Sequence, residues 1–286
     1  MKLGVICGLA AGPSYDEVVG LARAAEEEGF ESFWVPDHFF GGEGFPDRDC
    51  YDAWTVLAGL ARDTKTIRLG CLVTAAQYRN PALLAKIVAS VDQLSGGRIE
   101  FGIGAGWKEN EYRAYGYEFA APGERVDQLI EVLEICLRLW TEERATYQGK
   151  HYRIDAAVSS PKPVQRPHPP VWVGGAGPRV LRVAARYADG FDISRRPPGG
   201  HLSEDEMRSA VAELDAASKK AKRERTLLRS HWSTADAGDD AAVEILADRI
   251  AAYARAGLDR YILSFPRERA GAMIRRAGAE RLPKRA

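Results

Sequence analysis

A chain of 286 residues that is 45% hydrophobic and 28% charged carries enough apolar sequence for a large core and has an ordinary globular balance. Its 40 basic and 40 acidic side chains cancel. That argues against nucleic acid or an anionic membrane surface as the main partner, because both call for surplus positive charge.

The N-terminal segment MKLGVICGLAAGPS is apolar, but it lacks a charged leader region and a cleavage site, so residues 3–7 read as a first strand. The next segment opens with Ser14 and Glu17, a capping box, and its apolar Val18, Leu21, Ala22 and Ala25 have helical spacing up to Gly29. A second strand at 32–35 precedes a helix through Trp54, Leu57, Ala58 and Ala61. The third strand is predicted at 67–73, and its helix starts at Asn80-Pro81 and stops at Gly96-Gly97. The fourth strand is 98–103, followed by a long helix with Val126, Leu129, Ile130, Leu133, Leu137 and Trp140 on one face.

Residues 144–170 break the rhythm with a short extended pair (145–147 and 151–154) and a proline-rich connection. They read as an insertion covering part of the barrel mouth. Further strands follow at 171–173, 190–193, 227–232 and 261–265, with helices beginning at Pro178, at a second capping box (Ser203 and Glu206) and near Ala241. A final arginine-rich helix reads as a solvated face. Eight β/α units predict an α/β fold, a (β/α)8 TIM barrel formed by one domain over residues 1–286. A doubly wound sheet is the rival, but no G-x-G-x-x-G follows the first strand.

In such a barrel the chemistry sits at the C-terminal strand ends. The turn 174–178, Gly-Gly-Ala-Gly-Pro, feeds a helix N-terminus, where free N–H groups and the helix dipole favour an anion; a phosphate is the expected occupant, and a plain tight turn is the alternative. At 104–107 two glycines make room for a flat ring that Trp107 stacks on or walls in, or else they pack against a helix. Asp37 and His38 end the second strand. His38 suits acid–base work near neutral pH, or it only hydrogen-bonds a cofactor or caps the next segment. Glu109 and Glu111 lie beyond the glycines in a helix start, which leaves Asp37 as the one strong acidic candidate. Arg195-Arg196 offers an anion contact or is a solvated loop.

No metal site is expected, because His38, His151, His168, His201 and His231 are scattered without ligand spacing. Cys7, Cys50, Cys71 and Cys136 show neither a CxxC pair nor zinc spacing, which fits a reducing cytoplasm. No apolar run is long enough to span a bilayer. Ser/His/Asp catalysis lacks a G-x-S-x-G elbow.

Several stretches, in order, resemble the luciferase-like monooxygenase family and its coenzyme F420-dependent branch. They are Trp34-Val35-Pro36-Asp37-His38, Gln77-Tyr78-Arg79-Asn80-Pro81, Gly102-Ile103-Gly104-Ala105-Gly106-Trp107, Gly123-Glu124-Arg125, Pro170-Val171-Trp172-Val173-Gly174-Gly175 and Ala188-Asp189-Gly190. The resemblance implies a cofactor across the barrel mouth, with coenzyme F420 expected and FMN the alternative. It implies Asp37 and His38 near the ring as catalytic residues and a non-proline cis peptide within Cys71, Leu72, Val73 and Thr74. It further implies cofactor contacts from Cys71, Leu72, Thr74, Gly106, Trp107, Asn110, Gly174, Gly175, Ala176, Gly177 and Ser194. Gln77, Trp107 and Trp232 would shape the pocket.

In related sugar-phosphate dehydrogenases a glutamate stands where this chain has Trp107, so that chemistry is not expected. The implied activity is hydride transfer to or from a small molecule. The rivals are an FMN-dependent monooxygenase and a non-catalytic flavin- or deazaflavin-binding protein. A homodimer is common in the family.

Overall fold

The structure, a computed structural model, describes residues 1–41, 48–194, 200–223, 226–235 and 240–281. In chain order it runs β1 (Lys2–Ile6), α1 (Tyr15–Glu27), β2 (Ser32–Val35), α2 (Ala53–Asp63), β3 (Arg68–Cys71), a two-residue β4 (Thr74–Ala75) and α3 (Pro81–Ser95). Then come β5 (Ile99–Gly104), α4 (Glu109–Ala114), α5 (Pro122–Thr141), the hairpin β6 (Ala145–Gln148) and β7 (Arg153–Ala157), β8 (Val171–Gly175) and α6 (Pro178–Tyr187). The chain continues with β9 (Gly190–Ile193), α7 (Glu204–Lys220), β10 (Leu228–Thr234), α8 (Asp240–Arg255), β11 (Arg260–Ser264) and α9 (Ala270–Arg281).

The pairing runs β1, β2, β3, β5, β8, β9, β10, β11 and back to β1, parallel throughout. A circuit that returns to its start has no edge, so the doubly wound alternative is excluded and the sheet is a TIM barrel.

The helix signals act as their chemistry requires. Ser14 and Ser203 each accept from the backbone of the glutamate three residues on, which reaches back to the cap N–H. Asn80 accepts from the N–H groups of Ala82 and Leu83, and Gly96 ends α3 in the left-handed region.

Strand side chains alternate between an outer core under the helices and the barrel interior. Inside, the buried Trp34 and Trp172 meet edge to face, with ring centroids 6.0 Å apart. They fit because Gly70 and Gly190 face them: a Cβ at either position would lie 2.4 Å from an indole carbon. Toward the N-terminal strand ends the Arg260 guanidinium sits 4.5 Å from the Trp172 ring centroid and pairs with Glu100 and Glu31. Arg68 also donates to Glu100. Burial pushes the Glu100 carboxyl up, but the two arginines outweigh that and hold it below the usual carboxylate range.

The insertion does not cover the mouth as expected. The hairpin lies along α5, where Glu131 accepts from the N–H groups of Lys150, His151 and Tyr152. Only its tip, through Lys150 and Glu124, reaches the mouth side. The proline-rich connection crosses the opposite end: Lys162 Nζ donates to the Leu139 carbonyl at the end of α5, and Gln165 binds Asp92 and the Ile99 carbonyl. The chain must return to that end because β8 is parallel to β5.

Candidate active site

Five consecutive neighbours of the cylinder, β2, β3, β5, β8 and β9, deliver the predicted residues to one arc of the C-terminal rim. His38 follows β2, Leu72 and Val73 follow β3, Trp107 and Asn110 follow β5, the 174–178 turn ends β8, and Ser194 follows β9. His38 and Trp107 meet edge to face at 5.9 Å. Trp107 is 60% exposed, so it stands at the rim as a wall, and Asn110 is exposed beside it on α4.

Asp37 and His38 are adjacent in sequence but part in function. Asp37 is buried, and both its oxygens accept from Arg79, at 2.6 and 3.0 Å. Burial pushes its carboxyl up, and Arg79 opposes that. Arg79 also binds Asp52, whose side chain caps α2 through the Thr55 N–H. This pair therefore ties the end of β2 to α2 and α3, and the Asp37 side chain, which also accepts from the Ala75 N–H, is only 1% exposed.

The His38 ring is 24% exposed and sets Nδ1 3.0 Å from Oε2 of Glu111, whose side chain is fully buried. Oε2 also accepts from the Tyr78 hydroxyl at 2.8 Å. Oε1 accepts from the Phe39 and Phe40 N–H groups and from Lys108 Nζ. Burial pushes this carboxyl up, but the hydrogen bonds from His38, Lys108 and Tyr78 outweigh it and hold it at about 2. Glu111 is the site residue that sequence reading passed over. It is 73 residues from His38 on a six-residue helix, too short for periodicity to mark a buried carboxylate.

The glycines divide into two kinds. Those near 104–107 do not clear space for a ring. A Cβ on Gly104 would lie 2.8 Å from the Val73 side chain, and one on Gly106 would lie 1.7 Å from the Tyr112 hydroxyl. Gly174 likewise accommodates Val73, at 2.7 Å. Of the predicted pair, Gly106 thus packs against Tyr112 of α4 and Gly104 against Val73, and Gly174 of the expected phosphate turn packs on Val73 as well. Gly177 differs: φ is +96° and a Cβ there would meet nothing within 4 Å, while Gly175 beside it takes φ +144° with Val180 3.2 Å from its Cβ position. Residues 176–178 are exposed, Gly177 caps α6 without a side-chain hydrogen bond, and the first turn holds no acid. Such an open helix start, with free N–H groups and a positive dipole end, fits a phosphate.

Other expected contacts are redirected by the pleat. The peptide between Leu72 and Val73 is cis, as the resemblance implied. There the predicted strand 67–73 leaves the ladder, and β4 resumes beside β5. Cys71 packs in the outer core and Thr74 accepts from the Trp54 indole behind the barrel, so both side chains face away from the mouth and only their backbone remains available. Leu72 does face inward, beside Ile6, Trp34, Trp172 and Ile262, with Trp232 packed against them. Gln77 is spent on Tyr112 and the Arg125 carbonyl. Ser194 donates to the buried Asp192. Arg195 and Arg196 lie outside the described residues.

Among the described residues no cluster of His, Cys, Asp and Glu could hold a metal ion, and no helix is long and apolar enough to cross a membrane. A solved F420-dependent secondary alcohol dehydrogenase, in complex with an F420-acetone adduct, superposes with a TM-score of 0.81 at 19% identity over 97% of both chains, a likeness of fold. The F420-dependent hydroxymycolic acid dehydrogenase of Mycobacterium tuberculosis is 32% identical over 82% of this chain and 62% of its own length. The FMNH(2)-dependent dimethylsulfone monooxygenase of Pseudomonas putida is 30% identical over 67% of this chain and 52% of its own. The profile of the luciferase-like monooxygenases matches residues 1–285. The chain therefore belongs to the luciferase-like monooxygenase family, a family of oxidoreductase enzymes built on the TIM barrel.

Proposed function

We propose that this enzyme, acting as one unit over its 286 residues, uses coenzyme F420 to move a hydride to or from a small organic substrate. The observation that carries the reading is the rim arc. It sets a partly exposed histidine and an indole wall on one side, and an open glycine turn at a helix start on the other. A phosphate-bearing tail fits the second, and a planar ring between them would lie over Leu72 and Val73.

When bound, the deazaflavin supplies the hydride chemistry. The protein's part is placement and one proton. The N–H groups at the start of α6 hold the tail. Trp107 limits water on one flank, and His38 takes or gives the proton that accompanies hydride movement.

Fluorescence titration of the pure protein with F420 and, separately, with FMN tests the cofactor, followed by stopped-flow reading of the F420 absorbance with a panel of alcohols, ketones and enones. Saturable F420 binding and a substrate-dependent change in absorbance are expected. Tight FMN binding without F420 binding would instead make it an FMN-dependent monooxygenase.

A further inference from the structure

The Glu111 carboxylate serves no substrate: it is wholly buried and receives five donors from His38, Phe39, Phe40, Tyr78 and Lys108. Its two oxygens are not equivalent. Oε1 is bound by two backbone N–H groups and the Lys108 ammonium, all obligate donors, so only an acceptor can occupy that place. Oε2 faces the His38 ring nitrogen and the Tyr78 hydroxyl. A neutral imidazole has one N–H and one bare nitrogen, and the partner of one nitrogen decides the state of the other. Against a carboxylate oxygen, Nδ1 must be the donor.

We infer that Glu111 is a positioning residue: its carboxylate compels Nδ1 of His38 to carry the ring proton and so leaves Nε2, on the far side of the ring, as a proton acceptor at the barrel mouth. The inference rests on the proposed reading only where His38 is given a part in turnover. The tautomer itself follows from geometry. It also assigns the direction in which the ring works when it is neutral, since a bare Nε2 accepts a proton from a bound substrate before it can return one. Lys108 reinforces the arrangement by holding the Phe40 carbonyl as well as Glu111, so the histidine's backbone and its ring are fixed from the same helix start.

Glu111→Gln is the informative variant. Its carbonyl must take the Oε1 place, where the obligate donors are, and this puts the amide NH2 against Nδ1. An amide donor there forces the ring proton onto Nε2 and converts the mouth-facing acceptor into a donor.

The test is a long-range 1H–15N correlation spectrum of the whole protein at a pH where the ring is neutral, with His38 assigned by the signal lost in His38→Ala. A protonated Nδ1 and a bare Nε2 are expected in the wild type, reversal of that pattern in Glu111→Gln, and the wild-type pattern in Tyr78→Phe, which keeps the carboxylate. A wild-type ring protonated at Nε2 overturns the inference, as does a Glu111→Gln spectrum that matches the wild type. Should Glu111→Gln not fold, the wild-type and Tyr78→Phe spectra still decide. The readout needs neither cofactor nor turnover, so a failure to use F420 leaves it standing. With a turned-over substrate, Glu111→Gln lowers kcat by about 10²-fold, at the low end for a misplaced acid–base group, and leaves cofactor affinity near the wild-type value.

Discussion

His38 and Asp37 illustrate how far neighbouring side chains can diverge. One stays partly in solvent on the indole of Trp107, while the other is locked by a two-pronged arginine. His38→Ala is expected to reduce kcat by about 10²-fold or more with little change in the F420 dissociation constant; steady-state kinetics beside a binding titration separate the two, and an unaltered kcat removes the histidine from the chemistry. Asp37→Asn should act on folding instead. It leaves the buried Arg79 half-paired and lowers stability by about 3 kcal/mol or more, read as a shift in the urea midpoint. His38 was legible from its residue type and its strand-end position. The true role of Asp37 was not, because nothing local reveals that Arg79, 42 residues on, would claim it. The same holds for Glu111, where an exposed-looking helix start turns out to be the buried partner of the histidine.

Among the elements, the β8 turn and α6 carry the most specific expectation. Gly177 has φ +96° and ψ +154°, a region that side chains reach only at a cost of about 1–3 kcal/mol. Its Cβ position is nonetheless open, so the cost is conformational rather than steric. Gly177→Asp adds a negative charge to a positive helix end, and F420 affinity should fall more than in Gly177→Ala. Equal losses in the two variants, measured by fluorescence titration, would show that backbone geometry alone matters there. The same scale shows why the two predicted ring-clearing glycines, and Gly174 of the expected phosphate turn, serve packing. Gly104 and Gly174 flank Val73, and Gly106 admits the Tyr112 hydroxyl. A glycine in sequence announces missing volume without saying what fills it.

For the whole molecule, the barrel interior is a stack in which each layer depends on the next: the Glu100–Arg260 cluster, then the two indoles, then Leu72 with Ile6 and Ile262. Arg260→Met should cost about 3 kcal/mol by leaving the buried Glu100 with Arg68 as its one remaining arginine, and adding Glu100→Gln should restore part of that loss, a coupling measured by a double-mutant cycle. Acid stability follows from the same logic. The folded values of Glu100 and Glu111 both lie below the ordinary one, so the stability each contributes is complete above the ordinary carboxylate range and is lost as pH falls through the folded value. For Glu111 that window runs from about 4.5 down to about 2. Urea midpoints should therefore drop between pH 5 and pH 2, and less steeply in Glu111→Gln.

The sequence by itself determined the eight-unit alternation, the capping boxes at Ser14 and Ser203, and the strand ends that bear His38, Trp107 and the Gly175 turn. These depend on periodicity and on hydrogen bonds spanning a few residues, so they are written locally. Only the tertiary structure decided that Asp37 is consumed by Arg79, that Glu111 governs His38, that Cys71 and Thr74 face outward, and that the proline-rich segment crosses the far end of the barrel. Each of these turns on which residues the closed cylinder brings within about 3 Å across tens of positions in the chain, and no local pattern encodes that distance.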